Sequence, residues 1–173
     1  MSLNASGHFN IIKDPAKLTT PCEWFDFDNP PFNPAEFAQQ LVHSMHFHSG
    51  IGLAANQVGV NYRIFSMRGN PNYVFFNPRI VANSDKDIVL EEACLSFPGL
   101  VVKVKRPETV RVRYVLPNGE TTTSQFTGIS ARCVQHECDH LDGLLFYNKA
   151  SKFHRDQAFR KWKHFINNPI IRK

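Results

Sequence analysis

The chain has 173 residues, of which 42% are hydrophobic, 20% charged and 12% aromatic, with a formal net charge of +5. That length suits one hydrophobic core, so residues 1–173 are expected to form a single domain. The composition excludes a disordered chain, and no apolar run approaches the roughly 20 residues of a membrane-spanning helix.

In chain order, the first thirty residues read as irregular, punctuated by Pro15, Pro21, Pro30 and Pro31. A helix is expected next: Asn33 can cap it, Pro34 suits its first turn, and Phe37, Leu41, Val42 and Met45 recur at helical spacing up to Ser49-Gly50. From Tyr62 to Phe126 the pattern turns to β. Arg63–Met67, Tyr73–Phe76, Val101–Lys105 and Thr109–Leu116 are rich in β-branched and aromatic residues, and Pro117-Asn118-Gly119 makes a hairpin turn to Thr121–Phe126. Helical spacing returns after Gly128, with Ser130 as a candidate cap, Val134, Cys138 and Leu141 as the apolar stripe, and Gly143 as the stop. Phe153, Ala158, Trp162 and Phe165 predict a last amphipathic helix. The fold class expected is α+β.

The charge is uneven. Residues 151–173 hold seven Lys/Arg and one Asp, a net of +6, so the rest of the chain is about neutral. A solvated helix face is the plain reading of that basic tail; attraction to a polyanion such as ribosomal RNA is the functional one. Nothing calls for a DNA or membrane partner, and a monomer is expected. Met1-Ser2-Leu3-Asn4 lacks the basic stretch and apolar core of a secretory signal. A cytoplasmic or matrix-like location is expected, and Cys22, Cys94, Cys133 and Cys138 are then read as free thiols.

Chemistry concentrates in three segments. Gln135-His136-Glu137-Cys138-Asp139-His140 is an H-E-x-x-H sequence. Two histidines four apart stand on one helix face, so both imidazoles can reach one ion, and the adjacent glutamate can act as general base on a polarised water. A zinc protease is the rival enzyme class. The extended protease motif keeps its glycine here at Gly143 but has Phe146 in place of a third histidine, and no Glu follows Glu137. The third ligand must lie upstream, where Glu91-Glu92-Ala93-Cys94-Leu95-Ser96 offers Cys94. A thiolate and two imidazoles leave one position open, as a catalytic site requires. The third segment, Gly50-Ile51-Gly52-Leu53-Ala54-Ala55-Asn56-Gln57, clears space beside a backbone and ends on a side-chain amide able to donate to an oxyanion.

Together Gly50–Gln57, Glu92–Ser96 and Gln135–Gly143 resemble the three ordered motifs of the peptide deformylase family. The resemblance covers roughly Ile11 to Phe165 and implies antiparallel sheets around a central metal-binding H-E-x-x-H helix, flanked by an N-terminal and a C-terminal helix. It implies removal of the formyl group from N-formylmethionyl peptides. One divalent ion would be held by Cys94, His136 and His140: Fe2+ in the cell, with Zn2+, Ni2+ or Co2+ able to substitute. Glu137 would carry the proton from the attacking water to the departing amine. Gln57 and the Leu95 N–H would hold the oxyanion. Gly50, Ile51, Gly52, Ala93, Ile129 and Cys133 would bind substrate, whose backbone pairs as an added strand. Bacterial, organellar and phage proteins of this kind all fit the sequence. A weak or inactive relative, or another metal amidase or peptidase, is the alternative. One departure stands out: the second motif usually reads E-G-C-L-S, and Ala93 occupies its glycine position. If that position needs φ > 0 or close approach of a substrate, the methyl costs about 1 kcal/mol or more.

Overall fold

Asn33 opens the first helix. Its side-chain oxygen accepts the Ala35 and Glu36 N–H groups at 3.0 and 3.2 Å, and Pro34 takes a first-turn position where a missing N–H is harmless. The helix, α1, spans Pro34–Phe47 in the computed structural model, which describes Leu3, Asn4 and residues 6–167. Phe37, Leu41 and Met45 are buried and Val42 is half-buried, as their spacing requires.

Seven strands follow: β1 (Gly52–Ala54), β2 (Ile64–Met67), β3 (Tyr73–Asn83), β4 (Asp87–Ala93), β5 (Val101–Pro107), β6 (Thr109–Val115) and β7 (Thr121–Thr127). All pair antiparallel, in a five-stranded sheet of order β1-β2-β3-β6-β7 and a two-stranded sheet of β4 and β5. Two further helices, α2 (Ile129–Leu141) and α3 (Lys152–Asn167), complete a mixed α and β architecture. No helix among the described residues is long and apolar enough to cross a membrane.

Alternation along the strands decides the layers. β6 turns Val110, Val112 and Tyr114 inward, where they meet Phe65, Phe75 and Phe126 of the sheet and Ala131, Val134, Cys138 and Leu141 of α2. α1 seals a second cluster with Ile64 and Phe76, and β5 forms a third with Leu100, Phe146 and Ala158 of α3. Thus α2 lies between the two sheets, buried along nearly its whole length. Gly143 ends it at φ +69, where an added Cβ would press within 2.6 Å of the Thr19 carbonyl oxygen.

Three expectations need correction. Ser130 does not cap α2: β7 runs to Thr127 and passes into the helix through Gly128 alone, at φ +63, so the chain turns before the cap-forming residue is reached. Phe153 does not share the packed face of α3. It is 68% exposed, because the helix meets the β5 layer one turn later through Ala158, Phe159 and Trp162. The β pattern expected from Tyr62 to Phe126 holds β4 but not β1, which lies ahead of it in the glycine-rich segment. The last part of the basic tail, with Arg172 and Lys173, lies outside the described residues.

Replacing Asn33 by Ala leaves two first-turn N–H groups without their acceptor. Stability measured by urea unfolding should fall by about 1 kcal/mol, with the m-value unchanged.

Candidate active site

β4 and α2 bring the three ligand candidates together. The strand ends at Ala93, so Cys94 is the first residue beyond it, facing the helix turn that carries His136 and His140. All three are buried and their ligand atoms lie within 4.8 Å of one another. Cys94 Sγ is 3.2 Å from His140 Nε2. His136 is turned by Glu92, whose Oε2 lies 3.0 Å from its Nδ1, leaving Nε2 for the cluster. His140 has no such partner among the described residues, and its Nδ1 is buried and unpaired. Its backbone is fixed instead, the Asn56 amide donating to its carbonyl at 2.6 Å. A buried soft thiol converging with two imidazoles suits a divalent transition metal in a site with one open position.

Glu92 is itself enclosed by cations. Arg106 binds it through Nε and Nη2 at 2.6 and 2.9 Å, and Arg132 through Nη1 at 2.9 Å. Burial alone would raise the Glu92 carboxyl. The hydrogen bonds from His136 and Arg106, with the Arg106 charge, outweigh it and bring the group down to about 2. His136 responds in kind: burial opposes its charge, but Cys94 and Glu92 raise it to about 10. His140 is pushed down by burial and by the neighbouring positive charge. Arg106 continues to Asp139 at 2.6 Å, which Lys149 also meets at 3.4 Å.

Glu137 sits differently. It is buried, its Oε2 has no hydrogen-bond partner among the described residues, and no arginine or lysine there comes within ion-pair distance of it. Burial pushes it up to about 7; Glu92 adds to the rise, while His136 and the Ala54 N–H oppose it. A carboxyl poised there can take up and deliver a proton near neutrality. Gly52 of β1 makes room for it: a Cβ there would meet the Glu137 carboxylate and come within 2.6 Å of Cys133 Sγ.

The Gln57 amide has one possible orientation. The Ala54 N–H, a donor only, lies 2.9 Å from Oε1, so Nε2 must face Ser96 Oγ at 3.0 Å and Cys94 Sγ at 3.4 Å. An N–H2 donor therefore borders the cluster. Beyond it opens a cavity of about 380 Å³. Gly50, Ile51 and Gly52 form one wall, Ala93 and Leu95 another, and Ile129, Cys133 and Glu137 of α2 the floor. Ile51 and Ile129 are 54% and 61% exposed, giving the mouth two apolar lips. Every sequence-selected site residue lines this cavity except His140, which lies behind Cys94. Ala93 is the last residue of β4, paired with Val101, and is not in the left-handed region. The positive φ that its glycine alternative would favour is not required. Burial raises the other three thiols, Cys22 to about 11 and both Cys133 and Cys138 well above the ordinary thiol value, so they stay protonated.

A family model described as polypeptide deformylase matches residues 9–156 of this chain. The chain belongs to the peptide deformylase family. The curated peptide deformylase of Brucella suis is 37% identical over 171 residues, 94% of this chain and 95% of that protein. The crystal structure of a peptide deformylase from Synechococcus elongatus in complex with actinonin superposes with a TM-score of 0.83 at 30% identity, over 94% of this chain and 90% of that one. A peptide deformylase from Plasmodium falciparum gives a TM-score of 0.82 at 32% identity, over 91% and 95%. The protein is thus a metal-dependent hydrolase that removes the N-formyl group from the N-terminal methionine of nascent polypeptides.

Sequence reasoning noted the acidic pair before Cys94 and Asp139 within the metal helix but gave neither Glu92 nor Asp139 its role, and missed Arg106 and Arg132 altogether. One signal was available. Arg106 follows Val102 and Val104 on the inward phase of β5, and a charge at an inward strand position implies a buried partner.

The Glu92 carboxylate also makes a pH signature. Its folded pKa of about 2 lies below the ordinary 4.5, so its stabilisation is complete above pH 4.5 and is lost as pH falls toward 2. In Glu92→Gln the buried Arg132 loses its carboxylate partner and the buried Arg106 keeps only Asp139. Unfolding free energy at neutral pH should drop by about 3–5 kcal/mol, metal affinity by about 10–100-fold, and the slope of stability against pH between 4.5 and 2 should flatten. Urea titrations across that range and metal competition with a chelator measure these.

Proposed function

We propose that Cys94, His136 and His140 hold one divalent ion, Fe2+ in the cell, in a catalytic domain spanning residues 1–173. When bound, such an ion lowers the pKa of a coordinated water and polarises a carbonyl oxygen. The remaining steps belong to the protein. Glu137 accepts a proton from the attacking water and delivers it to the departing amine nitrogen, a role supported by its unpartnered Oε2 and its carboxyl near 7. Gln57 Nε2 donates to the oxygen that becomes negative as the formyl carbon turns tetrahedral; the Ala54 N–H holds the amide ready at no reorganisation cost. The Leu95 N–H is the second donor. Ile51, Ile129 and Cys133 receive the methionine side chain, and the free edge of β1 at Gly52, with the Gly50–Ile51 backbone before it, pairs with the peptide backbone. Ala93 faces the same channel from the opposite wall.

The observation that carries this reading is the meeting of a buried Cys-His-His cluster and a buried, unpaired glutamate at the base of one apolar-lipped cavity. Protein loaded anaerobically with Fe2+ should release formate from formyl-Met-Ala-Ser and leave unformylated Met-Ala-Ser intact. Glu137→Ala should lower kcat by about 10²–10⁴-fold while still binding one equivalent of metal. A Glu137→Ala protein with near-native turnover would remove this carboxylate from the mechanism.

Ala93 tests the channel wall. Because its backbone is unstrained, Ala93→Gly acts only through the methyl that faces the substrate. Steady-state kinetics should show a change in KM of a few-fold with kcat nearly constant; a change mainly in kcat would place the methyl's effect on the reacting atoms instead.

A further inference from the structure

β3 and β6 fall out of step between the pairs Phe76↔Val115 and Arg79↔Arg113. Asn77 and Pro78 there oppose the single residue Tyr114, a bulge, and Asn77 takes φ +51. The Asn77 amide clamps the segment beside it: Oδ1 accepts the Phe25 N–H and Nδ2 donates to the Phe25 carbonyl, both at 2.8 Å. The clamp holds Trp24 against the sheet. The Arg79 guanidinium carbon lies 4.4 Å from the Trp24 ring centroid and that of Arg63 lies 5.0 Å away. Trp24, Arg79, Arg113, Val115 and Thr121 frame a second cavity of about 300 Å³, sharing no lining residue with the catalytic one.

Like charges directly opposite on antiparallel strands destabilise a sheet. Arg63 is already engaged by Asp142 at 2.7 Å, but among the described residues no carboxylate comes within ion-pair distance of Arg79 or Arg113. The bulge therefore maintains a repulsive pair that an anion would convert to an attractive one. A carboxylate fills one guanidinium fork, whereas a phosphate has oxygens enough for two. Trp24, 48% exposed at the cavity edge, adds an aromatic surface, and an indole with arginine is a stacking platform for nucleobases.

We propose that the Trp24–Arg79–Arg113 cavity binds a nucleoside phosphate, presented either as a free nucleotide or within single-stranded RNA. The phosphate bridges Arg79 and Arg113, and the base stacks against Trp24.

The test uses metal-loaded, full-length protein, with deformylation of formyl-Met-Ala-Ser confirming the fold of every variant. Titration calorimetry with AMP and with inorganic phosphate should show AMP binding about tenfold tighter. Arg79→Gln and Arg113→Gln should each weaken AMP by about tenfold or more, while Arg111→Gln, two residues along the same exposed face, should not. Trp24→Ala should abolish the preference for AMP over phosphate and retain phosphate binding. Fluorescein-labelled decauridylate separates the two sources. Anisotropy showing tight, salt-dependent binding that weakens in the Arg79→Gln/Arg113→Gln double variant identifies RNA, and decauridylate that fails to displace AMP identifies the free nucleotide. Equal binding of phosphate and AMP would overturn the nucleoside assignment. The site itself is overturned if none of the probes binds, or if decauridylate binding survives in the double variant, which would move the contact to the basic C-terminal segment.

Discussion

The structure depends on one buried carboxylate. Glu92 leaves β4 to meet Arg106 of β5 and both Arg132 and His136 of α2, so the small sheet, the central helix and a metal-ligand candidate share one node. A buried charge is tolerated only when its acceptor sites are filled, and here two guanidiniums and an imidazole fill them. Asp139 supplies the second negative charge, balancing Arg106 and drawing in Lys149 from beyond the helix. The node fixes where β4 ends, and that in turn places Cys94 against His140.

Two glutamates 45 residues apart in sequence meet at this centre with opposite electrostatic fates. Glu92, enclosed by cations, is driven to about 2, and Glu137, sharing the same burial without such a shell, rises to about 7. Burial prevails at Glu137, whereas at Glu92 the hydrogen bonds and charge of its partners overcome it. One carboxylate is held as an anion by its cations, and the other is poised to change protonation near neutrality, as the proposed role of Glu137 requires. The glutamine at the end of the glycine-rich segment completes the division, since its amide is oriented by a backbone donor and needs no charge of its own.

Much of this was legible in the sequence because the informative signals are local. Asn33-Pro34, the hairpin turn before Thr121 and the helical spacing of Val134, Cys138 and Leu141 each declare an element within a few residues, and the structure places α1, β7 and α2 there. The Cys94, His136 and His140 set was legible because ligand chemistry restricts residue type, and elimination sent the search upstream. What was hidden is non-local. Arg106 and Arg132 are ordinary surface-type residues until the fold brings them to Glu92, and Asn77 gives no sign in sequence that it anchors Phe25 more than fifty positions earlier. β1, three residues long, has no periodicity to read. It exists because β2 offers it an edge.

That short strand carries a consequence for how the protein can change. With no space for a side chain at position 52, the Glu137 carboxylate and the Cys133 thiol occupy the volume a Cβ would claim. The β1 edge and the α2 helix are thus moulded on each other, and neither can drift alone. Any substitution at Gly52 would have to be accompanied by a smaller or displaced group on α2, a double step through an inactive intermediate. Diversity in what the cavity accepts must therefore arise at its rim, at Ile51, Ala93 and Ile129, where side chains face open space and single changes are survivable.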